Sequence, residues 1–403
     1  MRQAGTAAGI WRKLRRGAGL VGCLLAASCA GSGGLDFGGQ QPAGPVQTFE
    51  TVGSGSVKVA LLLPMSAGGG AGKTAKALKE AAEMALFEFN NPDIVLVPKD
   101  TGGTAAGATA AAQAAIAEGA ELIVGPLFAQ SVAAVGPVAR NANVPVIAFS
   151  TDSNVAGRGV YLLSFLPNDD IAQIVDFAVS KRLASFGALL PETAYGTIAE
   201  GALRQKAGEK RAQVVMVEKY AGEGQGTAEA AQRISAIAKG ANPKVSAIVM
   251  PDGPGPVRAL LPALVQNGTD LKRVKLLGSG QWDDPALLRE PALAGAWYAA
   301  PDPSGWRDFS SRYQAIYGVQ PPRIATIAYD AVSLAAALAR QPKGERYTSE
   351  LLTNSGGFAG VDGIFRFNAS GLNQRGLAIL EIQPGGGTRV IRAAPTSFAG
   401  ANF

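Results

Sequence analysis

From Val57 onward the chain alternates short apolar runs with alanine-rich amphipathic stretches, and this alternation limits the fold more than any other feature. Residues 57–63, 94–97, 122–124 and 145–149 read as buried strands, with helices predicted over 73–89, 105–118 and 131–141. Residues 161–165 close this first set. A second set follows, with helices at 171–181, 195–207, 228–239 and 257–267 and strands at 186–190, 213–217, 247–250 and 274–277. Strands separated by helices of this length need crossover connections, which implies parallel βαβ units in a doubly wound sheet.

Two further helices are predicted at 306–317 and 324–339. The tail changes character: 364–367 and 377–382 read as strands, the first followed by a turn at Asn368-Ala-Ser-Gly371 and the second by Gly385-Gly-Gly387. The expected fold class is α/β, with two doubly wound parallel-sheet lobes and a ligand cleft between them. The expected division is 57–165 plus 300–345 for lobe 1 and 166–299 plus 350–392 for lobe 2. Loops at the carboxyl ends of the strands would then face the cleft, where open α/β sheets bind ligands.

Composition removes whole classes of chemistry. There is no histidine, which excludes histidine-based triads and the common histidine-containing zinc sites. Two cysteines, Cys23 and Cys29, allow neither a cysteine-rich zinc cluster nor a disulfide framework. No metal and no cofactor are expected, and a binding protein is favoured over an enzyme.

Residues 1–28 read as a signal peptide. Arg2, Arg12, Lys13, Arg15 and Arg16 form its positive region, and 17–28 is an uncharged stretch too short to span a bilayer. It ends Leu25-Ala-Ala-Ser-Cys29, which resembles a bacterial lipobox and makes Cys29 the expected site of lipidation. Acyl chains on Cys29 would anchor the protein to the envelope. Ala30 stands where enteric inner-membrane lipoproteins carry Asp, so the outer membrane is preferred over the inner. Five of the 37 Lys and Arg residues fall in this leader, which holds no acidic residue. The rest of the chain carries 32 basic against 31 acidic residues, a balance that gives no support to nucleic-acid binding. Residues 29–56, rich in Gly, Pro, Gln and Ser, read as a flexible tether after the lipidated cysteine.

Several segments together resemble the type I periplasmic binding proteins, which include the leucine-binding proteins. They are Val59-Ala-Leu-Leu-Leu-Pro-Met-Ser66, Asp100-Thr-Gly102, Glu118-Gly-Ala-Glu-Leu-Ile-Val-Gly-Pro-Leu127, Asn143-Val-Pro-Val-Ile-Ala-Phe-Ser-Thr-Asp152, Tyr195-Gly196, Ala328-Tyr-Asp-Ala331 and Phe358-Ala-Gly-Val-Asp-Gly363. Within that superfamily, the Asp-Thr-Gly element, the segment ending Gly125-Pro126-Leu127 and the lipid anchor look most like the penicillin-binding protein activator lipoproteins. That branch implies contact with a peptidoglycan synthase. The transport branch implies instead a small amino acid clasped between the lobes and passed to an ABC permease.

For an amino-acid ligand the resemblance implies hydroxyls and backbone N–H groups around the carboxylate, and an acidic group near the ammonium. The candidates at matching loops are Ser66, Ser150, Thr151, Tyr195 and Asp252, with Trp282 as an aromatic wall of the cleft. Where the family's carboxylate-binding serine is expected, Ala129 and Gln130 stand, which makes Gln130 a further candidate. The ligand would be an amino acid or a cell-wall fragment.

Rival motifs are weaker. Ala67-Gly-Gly-Gly-Ala-Gly-Lys73-Thr74 follows a strand and opens a helix, as a phosphate-binding loop does, but the first glycine of that pattern is alanine. A nucleotide-binding enzyme is therefore the lesser alternative, and a loop lining the cleft the plain one. Ser150-Thr151-Asp152 has no histidine to act as base, and Asp152 or Thr151 fits a capping role. Asp283 and Asp284 are adjacent carboxylates in one loop, better suited to capping before Pro285 than to glycosidase chemistry.

Overall fold

The computed structural model describes residues 49–221 and 224–399. The signal peptide, Cys29 and the first part of the tether lie outside the described residues.

The first sheet is built from β1 (Val57–Leu63), α1 (Gly69–Glu88), β2 (Ile94–Asp100), α2 (Ala105–Ala117), β3 (Leu122–Val124), α3 (Ala129–Asn141), β4 (Val146–Ala148) and β5 (Val160–Leu162). Its strands run parallel in the order β2-β1-β3-β4-β5. Successive side chains of a strand face opposite sides of the sheet, and β1 shows the consequence. Val57, Val59, Leu61 and Leu63 pack with α1, while Ala60 and Leu62 pack with the alanines of α2 and with α3. Helix α2 buries Ala108, Ala111, Ala112 and Ala115, one face at helical spacing. The Thr104 hydroxyl caps it by accepting the Gly107 N–H at 3.0 Å.

The second sheet comes from α4 (Pro167–Ser180), β6 (Ser185–Pro191), α5 (Ala194–Glu209), β7 (Gln213–Tyr220), α6 (Thr227–Ala238), β8 (Ala247–Val249), α7 (Pro254–Gln266), β9 (Lys275–Gly278) and β10 (Trp297–Ala300). Then follow α8 (Pro303–Tyr317), α9 (Ala325–Leu338), α10 (Ser349–Leu352), β11 (Phe358–Gly360), β12 (Gly363–Phe367), β13 (Asn373–Arg375), β14 (Ala378–Ile382) and β15 (Thr388–Arg392). The sheet order is β15-β14-β10-β9-β8-β6-β7. Strand β14 runs antiparallel to β10, and β15 antiparallel to β14, so this sheet is mixed and its edge is a hairpin turning at Gly385–Gly387.

Helices α8 and α9 return to the first lobe, where Phe309, Tyr313, Ala328 and Ala331 share a core with β1. Strands β11, β12 and β13 form a small antiparallel sheet, and Phe365 and Phe367 of β12 join that same core. The Phe367 ring lies 5.3 Å from that of Tyr161 in β5. Residues 350–375, grouped by sequence with the second lobe, thus pack against the first, because the phenylalanines of β12 cover its exposed apolar side. The chain passes between the lobes three times: at 163–166 between β5 and α4, at 301–302 between β10 and α8, and at 376–377 between β13 and β14.

The end of the expected tether is fixed in place. Val52 and Leu96 exchange backbone hydrogen bonds at 3.0 and 2.9 Å, and Ser56 donates twice to the Asp93 carboxylate. Gly55 lies so close to β2 that a Cβ there would sit 2.1 Å from the Ile94 nitrogen. Residues 52–56 therefore pair with the first half of β2, which covers part of one of the two edges of the first sheet.

Candidate functional site

A cavity of about 520 Å³ lies where the crossovers meet. The first lobe supplies Thr151, Ser164, Phe165, Arg323 and Ile324, and the second supplies Asp170, Tyr195, Gln281, Asp283 and Asp284. Thr151 sits just past the carboxyl end of β4, and Tyr195 in the first turn of α5, whose cap is the Thr193 side chain accepting from the Gly196 N–H. The Tyr195 hydroxyl lies 3.0 Å from the Pro251 carbonyl oxygen, to which it donates, and 3.2 Å from Ser279 Oγ. Burial, and next the charge of Asp170, raise the Tyr195 hydroxyl above the usual phenol range, so it stays a neutral donor.

Asp170 stands in the first turn of α4, where a carboxylate suits the helix dipole. Its Oδ2 accepts the Gly280 N–H at 2.8 Å. Burial nevertheless pushes the carboxyl up to about 7, since desolvation outweighs the one hydrogen bond and the nearby Arg375. Burial also raises Asp283, against the pull of Arg323.

Arg323 joins the two lobes. Its Nη2 pairs with Asp362 Oδ1 of the first lobe at 2.6 Å, and its Nε lies 3.9 Å from Asp283 Oδ2 of the second. The guanidinium stacks over Phe165 and Trp306 at 5.2 and 4.9 Å from the ring centroids. Arg375, the last residue of β13 before the third crossover, is only 2% exposed. The Arg375 backbone N–H donates to Asp169 Oδ2, and its Nε donates to the Ser164 carbonyl oxygen at 3.3 Å. The same cation offsets the buried carboxyl of Asp330, which burial raises. Charges of both signs are thus enclosed at the passage between the lobes, which is stable only while each faces a partner.

Of the sequence candidates, Thr151 and Tyr195 line this cavity. Ser150 is buried beside Thr151, its Oγ accepting the Asp152 N–H at 3.1 Å. Asp152 in turn caps a short turn through the Asn154 N–H. Ser66 is exposed near the end of β1, its N–H bonded to Asp100 Oδ1, and the exposed Gln130 donates to the Gly103 carbonyl oxygen. Asp252 turns to its own lobe, accepting from the Tyr220 hydroxyl and the Gly253 N–H, each at 2.7 Å. Trp282 is not a wall of the cleft. It is fully buried in the second lobe, its indole seated on Gly278, where a Cβ would fall 2.1 Å from the ring. A large apolar ring gains more from the core than from a wet cleft, and the glycine makes the room. Asp284 Oδ1 accepts the Ala286 N–H at 2.7 Å, a turn-capping role. The glycine-rich loop opens α1 at Gly69, with Lys73 exposed and outside the cavity lining.

Asp170, Phe165, Arg323 and Gln281 were missed by sequence reasoning. Asp170 looks like an ordinary helix-start carboxylate, and Arg323 like a solvated residue before a packing helix. Only the adjacent pair Asp283-Asp284 offered a signal, as two carboxylates in a strand-to-helix loop.

Residues 56–388 match the family model described as periplasmic binding protein. The chain belongs to this family. Among solved structures, it resembles a branched-chain amino acid ABC transporter periplasmic ligand-binding protein from Burkholderia xenovorans, with a TM-score of 0.68 and 18% identity over 86% of this chain and 97% of that one. It also resembles a leucine-binding protein from Thermotoga maritima (TM-score 0.59, 21% identity, 84% and 98% covered). A third is a solute-binding protein of an ABC transporter from Rhodopseudomonas palustris in complex with 3,4-dihydroxybenzoic acid (0.61, 19%, 84% and 98%). No curated protein matches the chain. At such identities the likeness is one of fold. In a periplasmic binding protein, a cavity framed by interlobe crossovers is where hinge closure would trap a ligand.

Proposed function

We propose that this periplasmic binding protein is a non-enzymatic solute receptor of the cell envelope, tethered through a lipidated Cys29, whose lobes close on a small organic molecule carrying an amino group. The observation that carries the reading is the lining of the interlobe cavity: Asp170, Asp283 and Asp284 against one guanidinium, Arg323, which is itself paired with Asp362. An ammonium group would face the carboxylates, a ligand carboxylate would face Arg323 and the Thr151 hydroxyl, and an apolar body would rest on Phe165 and Ile324. An amino acid or a peptide fragment of the cell wall meets this description. The solute receptors it resembles in fold favour delivery to an ABC permease. Service to a peptidoglycan synthase, as in the activator lipoproteins, is the second reading and rests on the sequence motifs alone.

The test is isothermal titration and thermal shift of the purified chain against amino acids, aromatic acids and cell-wall peptides. Binding that requires an amino group and weakens in Asp283→Asn supports the reading. Stabilisation by none of these compounds overturns it and leaves the synthase-contact reading. Replacing Cys29 by Ser should release the protein from membranes; unchanged fractionation would refute the anchor.

A further inference from the structure

A second cavity, of about 400 Å³, lies at the other end of the first lobe. The interlobe cavity takes its residues from beyond the carboxyl ends of the strands, whereas this one opens beside the amino-terminal ends of β4 and β5. The Arg158-Gly159 turn, the end of α3 with Arg140, and Tyr347, Thr348 and Ser349 enclose it.

Its lining holds two arginines and no carboxylate. Neither Arg140 nor Arg158 joins an ion pair among the described residues. The nearby Glu121 is already held by Arg346 at 3.1 Å. Arg140 is not left to sweep through solvent. Its stem lies against Gly159, where a Cβ would be 3.6 Å from Arg140 Cγ, and its Nη1 lies over Gly136, where a Cβ would be 3.1 Å away. The hydroxyls add donors. Tyr161 donates to Ser349 Oγ at 3.0 Å, which leaves the Ser349 proton unspent. Thr348 Oγ1 accepts the Leu351 N–H, which leaves its proton unspent as well.

Two guanidiniums with two spare hydroxyl protons and no acceptor charge make a site for an oxyanion. We infer that this cavity binds a phosphate group, with Arg140 and Arg158 as its charged clamps and Ser349 and Thr348 as hydroxyl donors. The inference is independent of the reading of the interlobe cavity. Two sources share this chemistry. Phosphate headgroups of a membrane are one source, and a soluble phosphate ester is the other.

The experiment uses the chain from Ala30 onward, which keeps every described residue and carries no acyl anchor; it is titrated with inorganic phosphate by calorimetry at low ionic strength, and its co-sedimentation with vesicles of phosphatidylethanolamine and phosphatidylglycerol is measured. The same measurements are made on Arg140→Gln, Arg158→Gln and the double variant, with each melting midpoint recorded. Both arginines are exposed, so the variants should fold. Phosphate binding that falls at least about tenfold in each variant supports the site. Vesicle binding lost in the double variant assigns the source to the membrane, and vesicle binding absent in the wild type assigns it to a soluble ester. Arg140→Lys should restore part of the affinity, because it keeps the charge but not the planar fork. Absence of binding to either probe, or binding indifferent to the double variant, overturns the inference.

Discussion

The Arg375 backbone N–H donates to Asp169 Oδ2 at 2.9 Å, which ties the end of β13, where the third interlobe crossover begins, to the first turn of α4. Around this bond the Gln173 side chain donates to the Arg375 carbonyl oxygen at 2.8 Å and the Asn373 side chain to that of Ser164 at 3.0 Å. Two of the three passages between lobes are thus bonded to each other, so any hinge motion must bend about a fixed point rather than slide past it.

The charges at this point predict a pH dependence. Burial raises Asp169 and Asp170 each to about 7, from an ordinary value near 4. A carboxyl whose folded value is raised binds its proton more tightly in the native state, so stability is greatest on the acid side and falls as pH rises through about 7. Chemical denaturation at about pH 5 and about pH 8 should show lower stability at the higher pH, by roughly 1–3 kcal/mol. Asp170→Asn should flatten that slope; an unchanged slope would show that the carboxyl is not protonated in the native state.

The interlobe cavity and Asp252 should separate in their effects. Tyr195→Ala and Thr151→Ala are expected to weaken the cleft ligand by about tenfold or more, as two hydroxyls that line the cavity are lost. Asp252→Ala should leave affinity nearly unchanged but cost about 1–2 kcal/mol of stability, because the Tyr220 hydroxyl and the Gly253 N–H lose their acceptor. Titration and denaturation of the same three variants check both parts.

Trp282 and Gly278 form one packing unit. Trp282→Ala should destabilise the second lobe by about 3–5 kcal/mol, the loss expected when a large buried ring leaves a void. Gly278→Ala should also lower the melting temperature, since its Cβ would overlap the indole. A Gly278→Ala protein as stable as the wild type would contradict the packing seen here.

The segment before β1 is predicted to be structural. Gly55→Ala forces backbone apart at Ile94 and should uncover the edge of β2. Amide exchange at Leu96, whose N–H is bonded to Val52, should then rise, while exchange at Val59 in the interior of the sheet stays slow. Equal exchange at Leu96 in both proteins would leave the segment without that role.

Much of the architecture was legible in residue order. The runs at 57–63 and 122–124 are strands, and the alanines at 108, 111, 112 and 115 mark a helix face, because burial on one side imposes a period that neighbours along the chain display. Strands β10, β11, β13 and β15 were not foreseen. They are three to five residues long, several are polar on one side, and they exist because a partner strand waits for them in space. Thr151 and Tyr195 could be placed because each follows a strand end, a position set by connectivity. Trp282 could not, since nothing local tells an indole that faces a cleft from one that fills the pocket left by Gly278.

Sequence alone thus decided the main helices and the parallel strands up to β9, and which of their faces are apolar, since those follow from interactions a few residues apart. Tertiary structure alone decided that Phe165, Asp170, Asp283 and Arg323 share one cavity, that Arg375 is enclosed among carboxylates, and that β12 belongs with the first lobe. Those relationships join residues far apart along the chain, and three crossings between the lobes bring them together only once both cores have closed.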